Sequence, residues 1–168
     1  MPAEFRPCAL LRQLTTRGLD FVVVGGIAAL LHGADRNTFD LDICPAGDQQ
    51  NLETLGKALI ELDARLRGIE EDVPFVPDGR SLGRMQMLTL DTALGPLDVL
   101  MRPSGSPPYA RLRQRAVRMD IGPTAILVAS IDDLLTMKRA TGREKDGLDV
   151  ESLEEIKALK KRLARARR

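Results

Sequence analysis

Two aspartates stand one residue apart in the stretch "NTFDLDICP", residues 37–45. In an extended strand, residues i and i+2 point to the same face. Thr38, Asp40 and Asp42 then share one face, while Phe39, Leu41 and Ile43 share the other, which reads as the core side. At a rise of about 3.3 Å per residue, the two aspartate Cα atoms lie roughly 6.5–7 Å apart, so their carboxylates can converge on one or two divalent ions. Carboxylates this close repel unless a cation sits between them. The plain alternative is a solvated strand face with Arg36 or a lysine nearby.

Two further features lie near this pair in the predicted fold. Upstream, the β-branched run "DFVVV" (20–24) breaks on Gly25-Gly26 and passes into "IAALLHG", a helix stopped by Gly33. A strand, two glycines and a helix start leave backbone N–H groups unpaired, an arrangement suited to phosphate. Downstream, Asp98 is the only charge in "GPLDVLM" (95–101), between Leu97 and Val99. A lone carboxylate in an inner strand needs a cation or hydrogen-bond donors. Three carboxylates on neighbouring strands beside a phosphate-cradling turn make a two-metal phosphoryl-transfer site.

The elements that would position these residues follow from periodicity and punctuation. Residues 6–18 read as a helix with Leu10, Leu11 and Leu14 on one side. Residues 48–67 read as an amphipathic helix carrying Leu52, Leu55, Leu59, Leu62 and Leu66. The turn-rich segment 73–83 reads as a loop. Residues 84–91 and 95–101 read as a hairpin turning at 92–94, and 109–117 as a short helix or irregular segment. "AILVA" (125–129) is a last buried strand. Ser130 with Asp133 three residues on marks the start of a helix at 131–141, and Gly142 its end. A final helix runs from about 145 into the tail, with Leu148, Leu153, Ile156, Leu159 and Leu163 expected to face inward. The fold class is α+β, a small mixed sheet flanked by helices with a helical C-terminal end. The expected division is a core at 1–129 and C-terminal helices at 130–168 packed on it.

Composition bounds the function. The chain of 168 residues is 43% hydrophobic but only 3% aromatic, with no Trp, so its core is aliphatic and base stacking on aromatic platforms is disfavoured. Net charge is +1, yet residues 157–168 hold seven of the 25 basic residues and no acid. Without them the body carries 18 basic against 24 acidic residues. The basic tail could meet RNA or an acidic partner, or simply be the solvated end of a helix whose macrodipole favours cations there. Cys8 and Cys44 are expected as free thiols. No apolar run reaches the ~18–20 residues of a membrane span, and no signal-peptide core is present. A cytoplasmic location is expected. The single histidine, His32, has no second histidine to share a metal and reads as helix surface or C-terminal cap.

Gly25-Gly26, Gly33, the run Arg36-x-Thr38-x-Asp40-x-Asp42 and then Asp98 resemble the polymerase-β-like nucleotidyltransferase superfamily, and most nearly the AbiEii-type toxin nucleotidyltransferases and their small relatives. "SIDDLLTMKRATGREKDGLDVESL" (130–153) is similar to the second half of those relatives. The resemblance implies that Asp40, Asp42 and Asp98 ligate the metals, two Mg²⁺ or Mn²⁺ ions, with Asp98 sharing the metal that activates the acceptor hydroxyl or acting as the base for that hydroxyl. Gly25, Gly26, Arg36, Thr38, Lys138 and Arg143 would face the nucleotide. Asp146 and Asp149 would fix the last helix by pairing with Lys138 or Arg143. Gly26 stands where many members carry serine, so backbone N–H groups alone would face the phosphate there. The implied activity is transfer of a nucleoside monophosphate from an NTP to a hydroxyl on RNA (a tRNA 3′ end), a protein or a small molecule. The implied setting is a toxin with a cognate antitoxin. The rival expectation is a non-catalytic nucleotide-binding or toxin–antitoxin partner that keeps the site without turnover.

Overall fold

The computed structural model describes residues 3–69 and 75–168. Its centre is a mixed sheet built on the aliphatic runs: β1 (Phe21–Val24), β2 (Leu41–Pro45), β3 (Arg65–Leu66), β4 (Met87–Thr92), β5 (Gly95–Leu100), β6 (Val117–Ile121) and β7 (Thr124–Val128). They lie in the order β3-β4-β5-β2-β1-β7-β6. β1 runs antiparallel to β2 and parallel to β7, while β2 runs parallel to β5. The inner strands are covered on both faces, which is why Val22, Val23, Leu41, Ile43, Leu97 and Val99 are fully buried.

Helices cover this sheet. α1 (Pro7–Thr16) buries Leu10, Leu11 and Leu14, as its spacing predicts, and Gly18 closes it at φ +76°. α2 (Gly25–Leu31) follows β1 directly. α3 (Gln49–Glu61) is capped by Asp48, whose carboxylate accepts from the Asn51 N–H at 2.9 Å. α4 (Gly79–Gly83) packs on α3, and α5 (Tyr109–Arg115) lies against β1. α6 (Ile131–Thr141) begins at Ser130, which accepts from the Asp133 N–H, and ends at Gly142 in the left-handed region. α7 (Glu144–Ala166) packs on α6. Cys8 and Cys44 are both free, and no helix of the described residues is long and apolar enough to cross a membrane.

The structure departs from the sequence reading in six places. Strand β2 starts at Leu41, not 37, because β1 supplies pairing only as far as Val24 opposite Asp42 before it turns into α2. Phe39, outside the ladder, is 74% exposed instead of buried. The third helix stops at Glu61 because Asp63 takes a positive φ, and Leu66 belongs to β3, paired with Leu90. Within the segment read as a loop, Val73 and Pro74 lie outside the described residues, and Gly79–Gly83 is a helix capped by Asp78. A strand the sequence reading omits, β6, forms a hairpin with β7 across Gly122 at φ +58°. On α7, Leu153 is fully buried, but Leu159 and Leu163, beyond it in the tail, are exposed, and so is Leu148, on the side away from the buried Asp146 and Asp149. Of the two places expected for His32, helix surface or C-terminal cap, it takes the cap, and is buried there. It occupies the C-cap of α2, with Nε2 2.8 Å from the Ala129 carbonyl and Nδ1 3.4 Å from Lys160 Nζ.

Candidate active site

The end of β1 and the start of β2 meet at one point, and β5 passes beside it. Asp42 pairs across the ladder with Val24 on one side and with Asp98 on the other. Asp40 lies just before the strand, braced by Thr38, whose hydroxyl donates to the Asp40 backbone carbonyl at 3.3 Å. One oxygen from each of Asp40, Asp42 and Asp98 falls within 4.8 Å of the others. These oxygens open into a cavity of about 390 Å³.

Eight of the nine residues singled out from sequence line that cavity: Asp40, Asp42, Asp98, Gly25, Gly26, Arg36, Lys138 and Arg143. Thr38 does not; it supports Asp40 from behind. The apolar part of the wall, which the sequence reading did not single out, comes from Met87, Leu100, Leu134 and Met137.

Gly25 has a specific steric reason. Its φ is +67°, and a Cβ there would lie 2.0 Å from Asp42 Oδ2, so only glycine lets the Asp42 carboxylate press against the β1–α2 turn. A Cβ on Gly26 would come within 2.9 Å of the Thr38 hydroxyl and 3.0 Å of Arg36 Nε. The space a serine would need at this position is therefore already occupied.

The acids are held against their own charge. Burial, with the neighbouring Asp40 and Asp98, pushes the Asp42 carboxyl up to about 7, against the pull of the Gly26 N–H and Lys138. Burial raises Asp98 as well. The Arg67 guanidinium opposes that rise, with Nη2 3.3 Å from Asp98 Oδ1. Asp98 Oδ1 is otherwise a buried atom without a hydrogen-bond partner. Three carboxylates, two half-buried and one buried, that bring an oxygen each within 4.8 Å form an all-oxygen donor set that fits a hard divalent cation such as Mg²⁺ or Mn²⁺.

The cations are not free. Lys138 is buried and donates to Asp149 Oδ2 at 2.9 Å, with Asp146 Oδ1 3.7 Å away. Arg36 pairs with the same Asp149 oxygen. Arg143 Nε donates to Asp146 Oδ2 at 3.0 Å, and the Thr141 hydroxyl donates to that oxygen at 2.6 Å. Burial and the Arg36 charge lower the Lys138 ammonium pKa. Asp146 and Asp149 thus tie α7 to α6 and to the segment before β2, the pairing that the resemblance implied for them.

Arg67 is the site residue that sequence reasoning missed. Its segment reads as helix, and only the β3–β4 pairing carries it to Asp98.

No family model matches the chain, and no curated protein matches it. Solved structures do. An antigenic nucleotidyltransferase-like protein from Paracoccidioides brasiliensis aligns over 90% of this chain and 73% of its own, at 19% identity and a TM-score of 0.57. The lincosamide antibiotic adenylyltransferase LnuA, solved with lincomycin bound, aligns over 88% of this chain and 94% of its own, at 16% identity and a TM-score of 0.58. At such identities the likeness is one of backbone, and on that ground the chain has the nucleotidyltransferase fold.

Proposed function

We propose that this protein is a divalent-metal-dependent nucleotidyltransferase that moves a nucleoside monophosphate from an NTP to a hydroxyl acceptor. One observation carries the reading: Asp40, Asp42 and Asp98 bring an oxygen each within 4.8 Å, in a cavity that also contains the Gly25–Gly26 turn. Asp40, Asp42 and Asp98 would hold Mg²⁺ or Mn²⁺, two ions in the two-metal reading. When bound, such ions supply Lewis-acid stabilisation of a phosphoryl group and lower the pKa of a coordinated hydroxyl.

The chain's own residues do the rest. Gly25 and Gly26 form a small, side-chain-free wall on which a phosphate can lie. Arg36, Lys138 and Arg143 line the same cavity as the acids. Because Asp149 and Asp146 hold these cations in place, little side-chain ordering remains to be done when the triphosphate arrives. The cavity wall carries Asp40, Asp42, Asp98 and Asp146 against three bases, so a metal-bound triphosphate suits it better than a bare one. Met87, Leu100, Leu134 and Met137 offer an apolar surface to a base or an acceptor.

The acceptor is an RNA 3′ end, a protein hydroxyl or a small molecule. The likeness to LnuA, a lincosamide antibiotic adenylyltransferase, supports the small molecule. The basic end of α7, exposed throughout 158–168, supports RNA. The likeness of the 130–153 run to AbiEii-type toxins supports a toxin with a cognate antitoxin. The test is incubation of the protein and Mg²⁺ with each α-³²P-labelled NTP and, separately, RNA, protein extract and hydroxylic small molecules. Transfer of label to one pool, abolished in Asp40→Asn, is expected.

A second reading, a nucleotide-binding partner without turnover, draws on one observation: Arg36 and Lys138 already share a counter-ion in Asp149. Metal-dependent ATP binding in calorimetry without label transfer to any pool would select it.

A further inference from the structure

The third carboxylate has a partner that the proposed reaction does not use. Arg67 continues the β3 ladder, its N–H donating to the Thr89 carbonyl at 2.9 Å, so its backbone is fixed. Its guanidinium is then held at two points on the neighbouring strand. Nε donates to Asp91 Oδ1 at 3.1 Å, and Nη2 donates to the Leu90 carbonyl at 2.8 Å. From that anchorage Nη2 stands 3.3 Å from Asp98 Oδ1. Among the described residues no other Lys or Arg forms an ion pair with Asp98. Those two acceptors fix the plane of the guanidinium, and its charge meets Asp98 Oδ1 as an ion pair without a hydrogen bond to that oxygen.

We propose that Arg67 is a positioning residue for Asp98: it occupies Oδ1 and turns the other oxygen toward Asp40 and Asp42, holding the third carboxylate ready for metal while weakening the site's grip on the ion. The inference rests on the metal reading of the three aspartates. It has two consequences of opposite sign. A unit positive charge beside a divalent ion reduces its affinity, so removal of Arg67 tightens metal binding. A carboxylate freed to rotate serves the reacting groups less well, so removal of Arg67 slows turnover. A purely structural arginine would move both quantities the same way, because a loosened site binds metal less tightly and works less well.

The experiment is a calorimetric titration of the metal-free protein with Mn²⁺ in the absence of nucleotide, beside a turnover assay, for the wild type, Arg67→Met, Arg67→Lys and Asp91→Asn. Arg67→Met is expected to bind Mn²⁺ about tenfold more tightly, the size expected for loss of one well-screened charge near a divalent ion. Its kcat is expected to fall about 100-fold, with KM for the NTP little changed. Arg67→Lys restores the charge and the wild-type Mn²⁺ affinity, but not the full kcat, because an ammonium cannot make the same fork. Asp91→Asn leaves Arg67 in place with one anchor weakened, and lowers kcat even if Arg67→Met does not fold. Unchanged or weaker Mn²⁺ binding in Arg67→Met, or full kcat in Asp91→Asn, overturns this role for Arg67 while leaving the metal reading intact. Absence of Mn²⁺ binding in the wild type overturns both.

Discussion

Asp42 and Asp98 are side-by-side partners in the parallel register of β2 and β5. Like charges directly opposite each other on neighbouring strands are destabilising, and here a third acid, Asp40, joins them within 4.8 Å. A fold that keeps this arrangement in its interior is poised for a cation, and the metal-free protein should show the strain.

Asp42→Asn should therefore separate stability from activity. Without metal the substitution removes the most burdened charge, and is expected to stabilise the fold by about 2 kcal/mol at pH 8, read as a higher Tm in EDTA. Turnover in Mg²⁺ should fall at least about 100-fold, since a ligand to the reacting centre is lost. A lower Tm together with full activity would contradict the site.

The pH dependence of the metal-free protein has a definite sign. Asp42 has a folded pKa of about 7, raised from 3.8. Between these values the native state binds the proton that the unfolded state has released, so stability falls as pH rises through this window. The contribution is fully present below about pH 4 and lost above about pH 7, amounting to at most roughly 4 kcal/mol. Thermal melts from pH 4 to 8 in EDTA should show this decline on top of the other titrations. Mg²⁺ should flatten it, because metal binding displaces the proton.

Gly25→Ala is expected to damage the site more than a surface glycine would. The new methyl would sit on Asp42 Oδ2, and the residue would be held at φ +67°. A loss of about 2–3 kcal/mol and of Mn²⁺ binding is expected. Gly122→Ala, also at positive φ but in open space, is the control: it should cost about 1 kcal/mol and leave the metal site alone.

Asp149→Ala should loosen the junction of α6 and α7. Lys138 would stay buried with its nearest counter-charge gone, and Arg36 would lose its anchor. A destabilisation of about 3 kcal/mol is expected in urea melts. The apparent affinity for NTP should also fall, measurable as a raised KM, since two cations of the cavity wall lose their fixed positions.

Much of this was legible in the chain itself. Apolar runs placed β1, β5 and β7, the Ser130 and Gly142 signals bounded α6, and helical spacing found the buried side of α1. The lone charge in "GPLDVLM" marked Asp98 as a carboxylate needing a cation or hydrogen-bond donors, and eight of nine named residues line one cavity. These readings succeed because they rest on local properties: periodicity, caps, and the cost of burying an unpaired carboxylate.

Pairing and packing decided the rest. Whether Phe39 is buried depends on where the β1 ladder stops, which is set by the turn at Gly25 and not by alternation in "NTFDLDICP". Leu66 fits a helical face as well as a strand, and only β4 opposite it makes the choice. The exposed leucines of α7 have helical spacing, but Leu159 and Leu163 lie beyond its last buried residue, Leu153, and Leu148 is on the uncovered side of the stretch that holds the buried Asp146 and Asp149. Arg67 reaches Asp98 across β4, a relationship between residues 31 positions apart that no spacing rule encodes. Sequence by itself determined which residue types could do chemistry and most of the elements that carry them. Tertiary structure alone decided that Gly25 is required by the Asp42 carboxylate, that Arg36 and Lys138 share Asp149, and that Arg67 steadies the third acid. Those are contacts between segments far apart in the chain, and they exist only once the strands have chosen their neighbours.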